Sequence, residues 1–170
     1  AAAVILTLSL FAARNPAIVE FDPEESVNAG QALVALSGHS LLDFFRLQYA
    51  SICGGCSVDA ALGIIAFSIL PPTWMTWKMV PVFTCTAFTY FAVRSLHNRR
   101  GAATAAAMAL LLIAPPWKSM VLSLTALGNH QEVGMLTTVG FILLAYTRKR
   151  FTTLSSGVIL GFAMFVGWTA

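Results

Sequence analysis

Two short basic clusters interrupt a chain that is otherwise dominated by apolar runs. The first contains Arg94, His97, Arg99 and Arg100, and the second is Arg148-Lys149-Arg150. Apolar runs separated by compact basic segments are typical of proteins whose helices cross a bilayer several times. The pattern therefore predicts an all-α fold, a polytopic transmembrane helical bundle with surface helices in its first outer loop.

Composition excludes the main alternatives to a membrane protein. Hydrophobic residues make up 58% of the chain and charged residues 10%, whereas a soluble domain is roughly 45–50% apolar and about 25% charged. These values exclude a soluble globular enzyme, a disordered chain and a nucleic-acid-binding module. Six of the ten Lys and Arg residues lie in the two basic clusters. The net charge of +3 is therefore explained by the membrane topology of the chain rather than by a nucleic-acid partner.

The positive-inside rule places both basic clusters in the cytoplasm, and this orients every predicted span. The chain then forms one transmembrane domain, with spans at 1–13, 74–93, 102–122, 132–146 and 155–170. A run as short as the first rises only about 20 Å, against a hydrocarbon core of about 30 Å. We expect the first and last spans to be truncated parts of a larger protein; for the first, the tail of a signal peptide is the alternative.

The segment between the first two predicted spans lies outside under this orientation. Apolar spacing predicts three surface helices there, at 24–37, 40–49 and 58–70. The last is too short to span the bilayer, lies in or along the outer leaflet, and is ended by Pro71-Pro72. Trp74 and Trp77 are then expected in the outer aromatic belt, with Lys78 extending its ammonium toward water beside them.

All seven acidic residues lie on the outer side under this orientation: Glu20, Asp22, Glu24, Glu25, Asp43, Asp59 and Glu132. The carboxylates that crowd together after the first span could bind a divalent cation, or one could act as general base. Asp22-Pro23-Glu24-Glu25 is also a helix start, with Asp22 as N-cap and Glu25 as its capping-box partner. The two interpretations are compatible, because a capping Asp still exposes one carboxylate oxygen.

Asn129-His130-Gln131-Glu132 forms a second polar cluster, between two predicted spans on the outer side. We expect it to come near Asp22 at the same face of the membrane. His130 could be a metal ligand, a proton carrier or a hydrogen-bond donor to a phosphate. A plain solvated loop is the alternative.

Two cations and a cysteine pair are further candidates. Arg46 could contact a phosphate or lie on a solvated helix face, and Lys118 could meet a lipid phosphate or simply snorkel. Cys53-Gly54-Gly55-Cys56 is a CxxC motif in the predicted outer loop. A local disulfide is the first interpretation there, with metal or redox roles as alternatives.

The order of these features resembles the N-terminal part of the GT-C superfamily of integral-membrane glycosyltransferases. The resemblance begins with a first span that leaves the cytoplasm and is followed directly by the acidic motif Phe21-Asp22-Pro23-Glu24-Glu25. Surface helices come next and include Ala29-Gly30-Gln31-Ala32-Leu33. A Gly-Gly turn, a helix along the membrane surface and a second outer acidic motif complete it. The chain looks most like bacterial relatives of protein mannosyltransferases and of aminoarabinose transferases that modify lipid A. Many relatives carry a Lys-Pro-Pro type turn where this chain has Cys53-Gly54-Gly55-Cys56.

The resemblance implies transfer of a sugar from a polyprenyl-phosphate donor to a lipid, glycan or protein acceptor at the outer face. It implies that Asp22 is the essential carboxylate, as base or acceptor-orienting group, and that Glu132 is the second catalytic acid. The substrate-binding candidates are Glu24, Glu25, Asn129, His130, Lys118 and Arg46. Metal use varies across the superfamily, so no metal ligand is assigned and a divalent ion remains open.

Two other functions are compatible with such a chain. A transporter or permease segment would carry polar or charged residues near the middle of its spans, and the predicted spans carry almost none. A non-catalytic membrane assembly subunit would use Asp22 only as a helix cap. The predicted location is the bacterial inner membrane, with the site facing the periplasm or exterior.

Overall fold

The computed structural model describes Thr7, Thr125 and residues 23–38, 56–113, 131–146 and 150–167. Within these ranges the chain forms six α-helices and no strand, which confirms the all-α fold class. In chain order they are α1 Pro23–Leu36, α2 Cys56–Ile69, α3 Trp74–Arg100, α4 Ala102–Ile113, α5 Gln131–Tyr146 and α6 Arg150–Gly167. The predicted helix at 40–49, and the predicted span at 1–13 apart from Thr7, lie outside the described residues.

Helix α3 is the one helix in the described ranges that is long and apolar enough to cross a membrane, judged by length and composition. The shorter apolar helices there have 10–17 residues each: Ser57–Ile69, Ala102–Ile113, Val133–Ile142 and Leu154–Met164. The described part of the chain therefore contains one membrane-length helix and several shorter apolar ones.

Helix α1 occupies the segment for which the sequence predicts a surface helix at 24–37. It begins at Pro23, whose fixed φ and missing N–H suit the first helical position. Glu24 and Glu25 lie in its first turn, where the helix dipole favours negative charge. The helix ends at Leu36, and Gly38 follows with a φ of 105°, a left-handed conformation that glycine adopts without steric cost.

Helices α2 and α3 are joined by a short turn built from Pro71, Pro72 and Thr73. Proline cannot continue the hydrogen-bonding pattern of α2, which ends at Ile69. Thr73 then caps α3, because its hydroxyl accepts the backbone N–H of Thr76 at 3.2 Å. The Thr76 hydroxyl donates to the carbonyl of Pro71 at 2.7 Å and closes the turn. These bonds hold α2 and α3 in a tight helical hairpin.

Helix α3 runs to Arg100, beyond the predicted span end at Val93. Its 27 residues extend about 40 Å at 1.5 Å per residue, against a bilayer core of about 30 Å. The first basic cluster therefore lies on the last turns of the helix rather than in a loop after it. Gly101, with a φ of 86°, donates its N–H to the carbonyl of His97 and is the single residue between α3 and α4.

Helices α5 and α6 form the second packed pair of the described chain. Gly140 of α5 lies so close to α6 that a Cβ built on it would be 2.6 Å from Cδ2 of Leu160. The buried hydroxyl of Ser156 donates to the carbonyl of Gly140 at 2.7 Å. Helix α5 also contacts α3, which connects this pair to the first three helices. Helix α6 begins at Arg150, earlier than the predicted start at 155.

Candidate functional site

One face of α1 is buried although it carries polar residues. Glu25, Asn28 and Ala32 are the buried positions of this helix. Their spacings of three and four residues place them on the same side of a helix. Helix α1 contacts α2, and α2 contacts α3. We call the place where these three helices meet, at Glu25, Ala32, Gly63, Trp77 and Lys78, the three-helix junction.

Trp77 of α3 forms the apolar part of the three-helix junction. It packs with Ala32 of α1 and with Ile64 and Phe67 of α2, and its ring centroid lies 6.1 Å from that of Phe67. Gly63 permits this approach, because a Cβ built on it would lie 2.5 Å from Cζ3 of Trp77 and 3.1 Å from Cβ of Ala32. A side chain at position 63 would force α2 away from the other two helices.

A buried ion pair forms the polar part of the three-helix junction. The Lys78 ammonium donates to Oε2 of Glu25 at 2.5 Å, and both side chains are fully buried. The same ammonium lies 4.7 Å from the centroid of the Trp74 ring. Taking an ion out of water costs several kcal/mol unless a counter-charge is close, and an aromatic face adds a smaller attraction. The pair therefore ties the first turn of α1 to the beginning of α3.

The expectation that Trp77 and Lys78 would face the membrane surface is wrong. Each is 1% exposed, whereas Trp74, one turn earlier, is 40% exposed. Two partners explain the difference. Gly63 leaves a space that the Trp77 indole fills, and Glu25 supplies the negative charge that allows the Lys78 ammonium to leave water.

Further polar side chains are buried on the same three helices. Asn28 of α1, Asp59 of α2 and Thr76 of α3 are at most 5% exposed. Asp59 lies in the first turn of α2, where the helix dipole favours its negative charge. The Ser26 hydroxyl oxygen and the Trp77 indole nitrogen are buried, with no hydrogen-bond partner among the residues that the structure describes. The buried positions of these three helices thus include several polar side chains.

The two glutamates of the first acidic motif have different surroundings. Glu24 is exposed at the beginning of α1. Glu25 is buried and bound to Lys78, so its carboxylate holds the helix in place. Sequence alone does not distinguish these roles, because the two residues are adjacent and chemically identical.

The remaining predicted site residues are described in part or not at all. Glu132 is the second residue of α5, a helix that contacts α3. Both predicted acidic elements therefore adjoin α3, the helix that carries Lys78. Five predicted site residues lie outside the described residues: Asp22, Arg46, Lys118, Asn129 and His130. Cys53 of the CxxC motif lies outside them as well.

Within the described ranges, no group of three or more His, Cys, Asp or Glu residues is placed to hold a metal ion. The described residues therefore provide no ligand set for the divalent ion that the sequence leaves open.

The pairing of Lys78 with Glu25 is the feature that sequence reasoning missed. A signal was present, because a lysine within an apolar, tryptophan-rich stretch requires a counter-charge if it is buried. The partner could not be identified from spacing, since 53 residues separate the two side chains in the chain.

Comparison with known proteins gives no relative: no protein-family model, no curated protein and no solved structure matches this chain.

Proposed function

We propose that this chain belongs to an integral-membrane glycosyltransferase of the GT-C type, which transfers a sugar from a polyprenyl-phosphate donor to a lipid, glycan or protein acceptor at the outer face of the membrane. The observation that carries the proposal is the acidic beginning of α1. The helix starts at Pro23, directly after Asp22 in the chain, and its first turn contains Glu24 and Glu25.

The contacts of α1 support a role for this acidic beginning in binding or catalysis. Catalytic groups act best when the element that carries them is held rigidly. Glu25 is bound to Lys78 inside the protein, whereas Glu24 remains exposed beside it. One carboxylate thus anchors the first turn of α1 while its neighbour stays accessible.

A polytopic topology is the second part of the proposal. Helix α3 has the length to cross the membrane and ends in Arg99 and Arg100. The positive-inside rule then puts its C-terminal end in the cytoplasm and its Trp74 end outside. The acidic beginning of α1, bound near that end of α3 through Lys78, falls on the outer side. A bacterial inner membrane with the site facing the periplasm or exterior fits this orientation.

The proposed reaction is a displacement at the anomeric carbon of the sugar. The acceptor hydroxyl loses its proton to the Asp22 carboxylate while its oxygen forms a bond to that carbon. The bond between the anomeric carbon and the phosphate oxygen breaks, and its electron pair leaves with the polyprenyl phosphate. Glu132 is the second proposed catalytic acid. Lys118, Arg46 and His130 are the proposed contacts for the anionic phosphate.

The first prediction concerns Asp22. Asp22→Asn in the full-length protein, reconstituted with polyprenyl-phosphate mannose or polyprenyl-phosphate aminoarabinose and a membrane extract as acceptor source, should lower polyprenyl phosphate release by about 10²–10⁴-fold, the usual contribution of a general base. Glu132→Gln should also lower the rate. Asp22→Ser is the matched control, because serine caps a helix about as well as aspartate but has no carboxylate.

The outcome for Asp22→Ser separates the competing functions. We expect a stable but inactive protein. A stable protein with the wild-type rate would show that Asp22 is a cap alone, as in an assembly subunit. Uptake of labelled sugar into vesicles without release of polyprenyl phosphate would identify a transporter instead.

A further inference from the structure

We infer that the buried Glu25–Lys78 pair is a positioning device for catalysis, acting through the residue that precedes α1. This inference rests on the proposed function, because it assigns to Glu25 and Lys78 the task of holding the segment that bears Asp22. Neither side chain needs to touch the substrate for this role. Both are fully buried, so their influence would pass through the backbone of α1.

Glu25 lies only three residues after Asp22 along the chain. Asp22 is bonded to Pro23, the first residue of α1, and Glu25 follows within the first turn. The proline ring fixes its own φ, and the helical backbone fixes the residues after it. Loss of the Glu25–Lys78 contact would therefore release the first turn of α1 within three residues of Asp22 in the chain. A shift of about 1 Å in a catalytic group can lower a rate by roughly 100-fold.

The ion pair constrains α1 more tightly than the apolar contact beside it. Ala32 and Trp77 hold the middle of α1 against α3, but apolar contacts are non-directional. The Lys78 hydrogen bond to Glu25, at 2.5 Å, is charge-assisted and directional. The Trp74 ring, 4.7 Å from the ammonium, limits the positions that the ammonium can take. Together they restrict the movement of the first turn of α1 relative to α3.

The decisive variant is the double substitution Glu25→Gln with Lys78→Met in the full-length protein. A single substitution would leave one buried charge without its counter-charge and could unfold the protein, whereas removing both charges is often neutral for folding. We expect the double variant to fold, to keep its donor KM within about twofold, and to lose about 10–100-fold in kcat. A folded double variant with the wild-type kcat would overturn the inference.

Two further variants complete the comparison. Glu25→Asp keeps both charges but shortens the acid by one methylene, so the pair can form only if α1 shifts; we expect a folded protein with an intermediate kcat. It replaces the double variant if that protein does not fold, and a wild-type kcat in it would then overturn the inference. Arg94→Gln removes an exposed cation from the same helix and should leave kcat unchanged.

A distance measurement tests the device without an activity assay. The native cysteines are first replaced by serine, and spin labels are then attached at Val34 on α1 and at Tyr90 on α3. These side chains are 40% and 59% exposed. The distance between the labels reports the relative position of the two helices. We expect a narrow distance distribution in the parent protein and a broader one in the double variant. Equal widths would overturn the inference. A broader distribution in the double variant, together with an Asp22→Asn variant that retains activity, would mean that the Glu25–Lys78 pair does position α1 but that the proposed role of Asp22 in glycosyl transfer is wrong.

Discussion

Gly63 is the residue on which the packing of the first three helices depends most directly. It lies where α2 faces both Ala32 of α1 and Trp77 of α3, and it leaves no room for a side chain. Overpacking of a close contact forces backbone shifts that cost typically 1–3 kcal/mol. The absence of a Cβ at this one position therefore allows the junction to close around the ion pair.

Gly63→Ala should lower the free energy of unfolding by about 1–3 kcal/mol, because the new methyl would lie 2.5 Å from the Trp77 ring. Gly30→Ala in α1 is the matched control, since a Cβ there meets nothing within 4 Å. That control should be neutral or stabilising by up to about 1 kcal/mol, from helix propensity alone. Thermal unfolding in detergent measures both. Equal stability of the two variants would contradict the packing described for Gly63.

The same position shows why the candidate site was only partly predictable from sequence. The acidic motif that ends in Glu24 and Glu25 is visible as a cluster, and Pro23 marks the helix start beside it. The burial of Glu25 is not visible, because it depends on Lys78 in another helix. Gly63 in an apolar run could as well be an ordinary helix residue, and its role becomes apparent only when Trp77 is seen against it.

Helix α3 is the element that organises the described structure, and local chemistry sets both of its ends. Thr73 caps its beginning, and Gly101 takes the left-handed conformation that ends it. Helices α2, α4 and α5 all contact it. Its interior contains Pro81, which has no N–H to donate to the carbonyl of Trp77. Helix α3 therefore has well-defined ends, whereas its series of backbone hydrogen bonds is interrupted at Pro81, near the three-helix junction.

Thr73→Ala should reduce the free energy of unfolding by about 1 kcal/mol, the usual contribution of an N-cap hydroxyl. The hydroxyl accepts the N–H of Thr76 at 3.2 Å, and alanine would remove that acceptor. Thr73→Ser keeps the hydroxyl and should stay within a few tenths of a kcal/mol of the parent. Chemical unfolding followed by the tryptophan fluorescence of the protein measures the difference. An alanine variant as stable as the serine variant would contradict the cap.

Helical segments were predictable at the level of elements, whereas several boundaries were not. Apolar runs with turn residues between them locate α2 and α3 because Pro71 and Pro72 cannot continue a helix. Helix α3 continues beyond the predicted span end at Val93, since the polar residues that follow are compatible with a helix and the first strong stop is Gly101. Helix α6 likewise begins at Arg150 because charged and polar residues can form its first turns.

At the scale of the whole molecule, the distribution of charge is the feature with the widest consequence. The basic residues at the end of α3 are exposed, while Lys78 near its beginning is buried against Glu25. Exposed cations at one end of a membrane-length helix favour the cytoplasm. The Glu25–Lys78 pair at the other end has no net charge, so it does not favour the cytoplasmic side. The orientation proposed for the chain follows from this asymmetry, and it is open to direct measurement.

Single cysteines in a protein whose native cysteines are replaced by serine should report this orientation. Ser37→Cys, after α1, should react with a membrane-impermeant maleimide in intact cells. Asn98→Cys, near the end of α3, should react only after the membrane is permeabilised, because the positive-inside rule puts that end in the cytoplasm. Both positions are exposed, so accessibility of the thiol itself is matched. Labelling of Asn98→Cys from outside would contradict the proposed orientation.

The separation of Glu25 and Lys78 along the chain also constrains how the protein is made. The two residues are 53 positions apart, and a ribosome adds about 5–20 residues per second. Glu25 therefore exists for roughly 3–10 s before its counter-ion is synthesised. A charged carboxylate without a counter-ion is stabilised by water, so the buried position of Glu25 becomes favourable for the ionised side chain only once Lys78 is present. Assembly of this region is thus ordered in time by the arrival of one lysine.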